Sequence, residues 1–337
     1  MARYILRRFA QFIPVFLGVT FLLFFITTIL PGDPVALKAG EKTLPPAVYQ
    51  ALRHSYGLDR PWYVQYVSYL GSLSPVRYSP SQGLHIAPPD LGESIRTGEP
   101  VLQKFEETYP YTVELALAAI ALEILVGVGV GIIAAVKQYS LWDTLATLGT
   151  SVLVALPVFW LGIMLQLFFG ILLKQWTGGR FYLPISSASG PPFPDWVHLI
   201  LPAITLASVS TAYAARIMRS QLLEVAGQDY VRTAQAKGLS GSAVLWRHEM
   251  KNALIPVVTF IGLDLGAMLS GAILTETVFN WPGVGLMIFT AIGQRDYPVV
   301  FGGATLILFV VLFVNLLVDI SYAFLDPRIR LGAAAEA

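Results

Sequence analysis

The amino-acid sequence predicts an all-α, polytopic membrane protein with six transmembrane helices and an extracytoplasmic loop region after the first of them. Three observations predict it. Only 13% of the residues are charged while 55% are hydrophobic, against about 25% charge in an ordinary soluble domain. The mean hydropathy is +0.64. The missing charge is also concentrated, in several runs of roughly the 20 residues that a helix needs to cross a bilayer core. Helix follows because backbone groups in lipid must be bonded within their own segment. The expected organisation is 1–30 as a cytoplasmic tip and first helix and 31–110 as the loop region with short amphipathic helices. A five-helix core, 111–325, includes a cytoplasmic loop over 216–252, and 326–337 is a cytoplasmic tail.

The first run, Phe9 to Leu30, is uncharged and follows "MARYILRR". It is longer than the apolar region of a signal peptide, about 7–15 residues, and no small-residue cleavage site follows. It therefore reads as a retained span, stopped by Pro31, Gly32 and Pro34 of "LPGDPV". From Pro31 to about Pro110 prolines and charges are too frequent for a membrane crossing. Within this stretch "RPWYVQYVSYLGSL" places Val64, Val67 and Leu70 at helical spacing beside Trp62, Tyr63, Tyr66 and Tyr69. That is either an amphipathic helix at the membrane interface or a small helix packed within the outer region.

Five further spans follow. They cover about Tyr111–Val136, Thr144–Leu173 with Pro157 as a kink, Trp196–Ala215, Ala253–Thr275 and Pro298–Phe324. Six spans put both termini on one side. If that side is the cytoplasm, it holds Arg3, Arg7, Arg8, Lys137, Arg216, Arg219, Arg232, Lys237, Arg247, Lys251, Arg328 and Arg330. The short outer connections hold Lys174, Arg180 and Arg295. Long loops translocate largely regardless of charge and are left out, so the bias is positive-inside and both termini are expected in the cytoplasm.

Several chemistries are excluded. The net charge of +1 gives no footprint for a nucleic-acid partner. The chain has no cysteine, hence no disulfide, thiolate metal site or thiol nucleophile. Its histidines, His54, His85, His198 and His248, lack the short spacings of a metal motif. Neither G-x-S-x-G nor H-E-x-x-H occurs.

Carboxyls inside the spans stand out: Glu123 and Asp264, and less centrally Glu114 and Asp319. A charge at the middle of a lone span costs about 2.5–3.5 kcal/mol on insertion scales and normally faces the bundle interior or water. Glu123 and Asp264 are therefore candidates for lining a pathway. The alternative is a structural carboxyl bonded to a neighbouring helix. For Glu123 the small residues Gly127, Gly129 and Gly131 favour close helix packing. Asp319 is expected near the cytoplasmic interface, solvated or paired with a terminal Arg.

Between the fourth and fifth spans lies a polar, Gly-punctuated cytoplasmic segment. In "RSQLLEVAGQDYVRTAQAK" the residues Leu222, Leu223, Ala226, Tyr230 and Ala234 recur near 3.6, which predicts one amphipathic helix continuing out of the membrane. Gly238 stops it in a left-handed turn. Ser240 or Ser242 caps a second short helix carrying Val244, Leu245 and Trp246. Its apolar residues have no place to bury within so short a loop, so they either lie on the membrane surface or dock into another protein, and Leu239, Val244 and Leu245 suit a groove on a partner.

This segment resembles the cytoplasmic "EAA" loop of ABC-transporter permease subunits of the dipeptide/oligopeptide (and nickel) permease family. The likeness runs in order through "ILRRFAQFIPVFLGVTFLLFF", "LPGDPV", "GLDRPWYVQY", "DLGESIRTGEPV", "YTVELALAAIAL", "DYVRTAQAKGL", "NALIPVVT", "ETVFNWPGVG", "RDYPVV" and "VNLLVDISYAFLDPRIR". The resemblance implies a bacterial inner-membrane importer in which two homologous permease subunits form the pathway by alternating access. Two cytoplasmic ATPase subunits dock beneath, and an extracytoplasmic solute-binding protein delivers di- or oligopeptides, with nickel chelates, glutathione and glycosides also within the family's range. It places the coupling contact on Arg232, Ala234, Lys237, Gly238, Leu239, Ser240, Val244 and Leu245. Arg232 stands where the general motif has Glu, as is common in this subfamily, so a salt bridge from that Glu does not transfer. Trp62, Tyr66 and Trp281, the last in the "NWPGVG" connection, are the expected contacts with the delivery protein.

No Gly-Lys pair occurs, so the chain lacks a phosphate-cradling loop and no cofactor is expected on it. ATP and Mg belong to the partner ATPases. The rival from another class is a membrane-embedded enzyme using Asp264 or Glu123, which turnover by the chain alone distinguishes. A self-sufficient secondary transporter leaves the docking loop unexplained, and no internal repeat is evident.

Overall fold

The computed structural model describes residues 2–29, 45–55, 57–79 and 83–325. The helix stop at Pro31–Pro34, the tail 326–337 with Arg328 and Arg330, and the side chains of Arg3, Arg7, Arg8 and Asp319 lie outside the described residues.

Among the described residues five helices are long and apolar enough to cross a membrane. They are α4 (Val101–Val136), α6 (Val158–Trp176), α7 (Asp195–Ala226), α9 (Gly241–Leu269) and α12 (Tyr297–Leu325). The first expected span is α1 (Ala2–Ile29), whose apolar stretch covers Ala10–Ile26. Shorter helices are α2 (Pro46–Ser55), α3 (Trp62–Leu73), α5 (Leu141–Ala155), α8 (Asp229–Ala236), α10 (Ile273–Phe279) and α11 (Val284–Gln294). One antiparallel hairpin, β1 (Val76–Ser79) with β2 (Gly83–Ile86), pairs Val76 with Ile86.

Three boundaries differ from expectation, each for a local reason. α4 begins at Val101 and runs through the boundary drawn at residue 110. Its first turns carry Lys104, Glu106 and Glu107 but bury Val101 and Phe105, and hydropathy marks the membrane rather than the helix end. Pro157 does not kink one helix but separates two: Leu156 and Pro157 both have extended backbone, ψ 132° and 131°, as the residue before a proline prefers. α9 stops at Leu269, and Gly271 at φ +100° begins a break before α10, so Thr275 lies in a separate short helix.

The chain folds into two compact units, one centred on Tyr109–Leu286 and one on Phe9–Thr108 with Met287–Phe309. In the first, α7 is the hub against which α4, α5, α6 and α9 pack. Gly127 and Gly131 permit the close approach of α4: a Cβ on Gly131 would stand 2.6 Å from both the Ala215 carbonyl oxygen and Met218 Cβ. Asp143, at the start of α5, accepts from Arg219 Nε at 2.6 Å and Nη2 at 2.8 Å, a bidentate clamp onto α7.

In the second unit α3 lies on α1. The Tyr66 hydroxyl donates to the Leu17 carbonyl at 2.9 Å and its ring meets Phe21 edge-on. Tyr69 and Thr305 join hydroxyls at 2.7 Å. The helix thus packs one side on α1 while Trp62, Tyr63 and Val67 remain exposed on the other. The "DLGESIRTGEP" segment is fixed by Asp296, which accepts from Ser94 Oγ at 2.5 Å and from the Ile95 amide at 3.1 Å, and by Arg96, which donates twice to the Gln294 carbonyl.

Candidate functional site

The cytoplasmic loop is built by two glycine breaks. α7 ends at Ala226 with Gly227 at its cap, and α8 starts only at Asp229. The single helix expected from Arg219 to Lys237 is thus two helices. α8 ends in a Schellman motif: Gly238, at φ +79°, donates to the Gln235 carbonyl at 2.9 Å, and Leu239 donates to the Ala234 carbonyl at 3.4 Å. Ser240 then caps α9, its Oγ accepting from the Ala243 amide at 3.4 Å.

The buried side of this loop corrects the expectation that its apolar residues face a partner. Val244 is 1% exposed, and with Val231 and Ala234 it enters a cluster of Ala135, Met218, Leu222, Val225, Met250, Ala253 and Val257. α4, α7 and α9 reach far enough past the apolar stretches to supply that core. Leu245 is half-buried against the same cluster, at the edge of a cleft of about 440 Å³ shared with Ala135, Leu222 and Gln235. What remains outside is the turn: Arg232, Lys237, Gly238, Leu239 at 40% exposure, and Ser240.

The two central carboxyls come together. Glu123 opens a π turn, Glu123–Val128, inside α4. It is 0% exposed and neither oxygen has a hydrogen-bond partner. The carboxyl of Asp264 on α9 is its neighbour, half-buried, with Oδ2 also unpartnered. Glu123 therefore does not line a pathway: no surface of it is accessible. Asp264 retains an accessible side. Glu114 lies on an exposed face of α4 with Tyr111 and Leu117.

The outer connection gives a second correction. Trp281 is 1% exposed, its Nε1 donates to the Tyr111 carbonyl at 2.9 Å, and its amide donates to the Glu276 carbonyl at 2.8 Å. It anchors the loop and is closed to a delivery protein. Tyr66 likewise spends its hydroxyl on α1, whereas Trp62 is 57% exposed beside Phe21.

Sequence reasoning missed Glu276, fully buried in α10. Its Oε1 accepts from Thr112 Oγ1 at 2.9 Å and its Oε2 from the Leu286 amide at 2.9 Å, while the Thr112 hydroxyl accepts from the Val284 amide at 2.9 Å. A Cβ on Gly283 would stand 2.5 Å from this carboxyl. Burial pushes the Glu276 carboxyl above its usual range, against these donors. The signal was present in "ETVFNWPGVG": an acid followed by closely spaced glycines and no cation. Among the described residues no group of three His, Asp or Glu is arranged to hold a metal.

Comparison with known proteins completes the assignment. The chain is 42% identical over 351 residues to the di/tripeptide transport system permease protein DppB of Pseudomonas aeruginosa, covering 98% of this chain and 99% of that protein. It is 39% identical over 352 residues to the dipeptide transport system permease protein DppB of Escherichia coli K12, with 98% and 99% coverage. The fold resembles that of an inward-facing structure of the MetNI methionine ABC transporter, with TM-score 0.53 and 14% identity over 67% of this chain and 97% of that one. Residues 1–116 match the N-terminal part of binding-protein-dependent transport system membrane components. Residues 127–331 match the binding-protein-dependent transport system inner membrane component family, and the chain belongs to that family.

Proposed function

We propose that this chain, with a second homologous permease subunit, forms the path by which di- or oligopeptides are imported across the bacterial inner membrane by alternating access. The observation that carries this reading is similarity to dipeptide permeases along 98% of the chain. Both termini and the loop over 227–252 face the cytoplasm, where two ATPase subunits bind ATP and Mg. An extracytoplasmic solute-binding protein docks outside, with Trp62 among its contacts, and lipid covers the outward apolar faces.

The loop geometry supports a mechanism for coupling. The exposed turn Lys237–Ser240 is the part a partner can grip. Its base, Val231, Ala234 and Val244, is embedded among side chains of α4, α7 and α9. Close-packed interiors transmit strain rather than absorb it, so displacement of the turn passes to three spans at once. Asp264, with its accessible side, is the carboxyl we place at the pathway's edge.

The test is Gly238→Val in the complete transporter reconstituted in vesicles. A β-branched residue at φ +79° is strained by about 1–2 kcal/mol, while no neighbour lies within 4 Å to hinder folding. The variant should insert normally, hydrolyse ATP and import little peptide per ATP. Unchanged coupling would count against the loop's role.

A further inference from the structure

Glu123 is a buried titratable group for which loop coupling provides no use. Its surroundings are apolar: Ala119, Ile120 and Leu122 of α4 share one cluster with Ala207 of α7 and Ile261, Leu265 and Met268 of α9. A carboxylate with no donor at either oxygen is strongly disfavoured in such a place. Cations on the neighbouring helix are committed elsewhere. Arg216 donates to Thr150 and Ser151, and Arg219 holds Asp143. Tyr213 of α7 packs against Phe260. Asn315 of α12, which meets α9 at Gly266, carries no charge. The charged group that acts on Glu123 is Asp264.

Two adjoining carboxylates in a medium of low dielectric constant cannot both be ionised. A peptide ammonium or hydrated cation cannot reach Glu123, which has no accessible surface. A proton can. We propose that Glu123 and Asp264 bind one proton between them, as an acid–carboxylate pair that ties α4 to α9 inside the membrane. The Glu123 O–H donates to Asp264 Oδ2, and the remaining negative charge falls to Asp264, which alone of the two reaches accessible surface. The π turn widens α4 where the acid must meet its partner, and such turns are frequent at functional sites. The same two helices carry Ala135, Met250, Ala253 and Val257 of the loop cluster, so separating the pair and moving the loop are mechanically linked. The proton assignment itself stands without the transport reading; only this linkage rests on it.

Infrared spectroscopy of the full-length chain in lipid nanodiscs at neutral pH reads the proton directly. The expected result is a protonated-carboxyl C=O band in the wild type that is lost in E123Q, whose amide replaces the O–H donor and preserves the fold. The band should persist, shifted, in D264N, where Glu123 is the sole acid of the pair, and vanish in the E123Q/D264N double variant. If E123Q does not insert, the wild-type and D264N spectra carry the same decision. Absence of an acid band attributable to Glu123 would overturn the proposal, as would loss of two acid bands in the double variant. Neither result depends on peptide uptake, so failure here is separable from failure of the transport assignment.

Discussion

Two chain segments meet at the Glu276 side chain: Thr112 from α4, and the amides of Gly285 and Leu286 from the first turn of α11, just after the loop that holds Trp281. The carboxyl thereby fixes a loop that hydropathy alone marks as a connection. Burial outweighs these donors and raises the folded-state pKa. A raised folded value means that the unfolded chain gives up this proton at lower pH. The stability Glu276 contributes is therefore full below the ordinary glutamate range, about 4.3, and declines as pH climbs through the raised value. Thermal unfolding of the detergent-solubilised chain should show that decline, and E276Q, neutral at every pH, should flatten it. A wild-type slope of opposite sign would refute the burial argument. At this scale the sequence was least legible. The place of Trp281 in the "NWPGVG" connection points outward to a delivery protein, yet its acceptor is a carbonyl 170 residues away, and no local pattern encodes such a partner.

The helices were legible to the extent that their periodicity and apolarity are local. The expected spans are helical over most of their length, but the third and fifth are each broken into two helices, and helix ends are set by packing and by single residues. Glycine at 227 and proline at 157 divided elements that periodicity joined, because a cap and an X-Pro step act over only two residues. Gly131 shows the reverse, a local residue type whose meaning is tertiary. Its Cα lies so close to α7 that an added methyl would meet backbone at Ala215, which cannot swing aside as a side-chain tip can. G131A should therefore destabilise the chain by about 1–3 kcal/mol, the usual range for overpacking. G129A, two residues away with nothing within 4 Å of its Cβ position, should be near neutral in the same thermal assay. Equal melting shifts for the two variants would mean that α4 is not held by this contact.

For the whole molecule the question is what covers the faces left open. α4 exposes Tyr111, Leu117, Ile124 and Leu125, an apolar stripe suited to lipid, but Glu114 lies on the same side of the helix. A carboxylate against hydrocarbon costs up to about 3 kcal/mol near the centre of a span. That cost disappears if a second subunit or an aqueous pathway covers this face, as the two-subunit reading requires. The native chain has no cysteine, so a single Glu114→Cys variant reports on one site without background. In the complete transporter a membrane-impermeant thiol reagent added from outside should label E114C, and labelling should rise when ATP binding opens the pathway outward. L125C, on the purely apolar part of the stripe, should resist the reagent in both states. Labelling of E114C by lipid-soluble reagents alone would place this face in the bilayer and remove the pathway from α4.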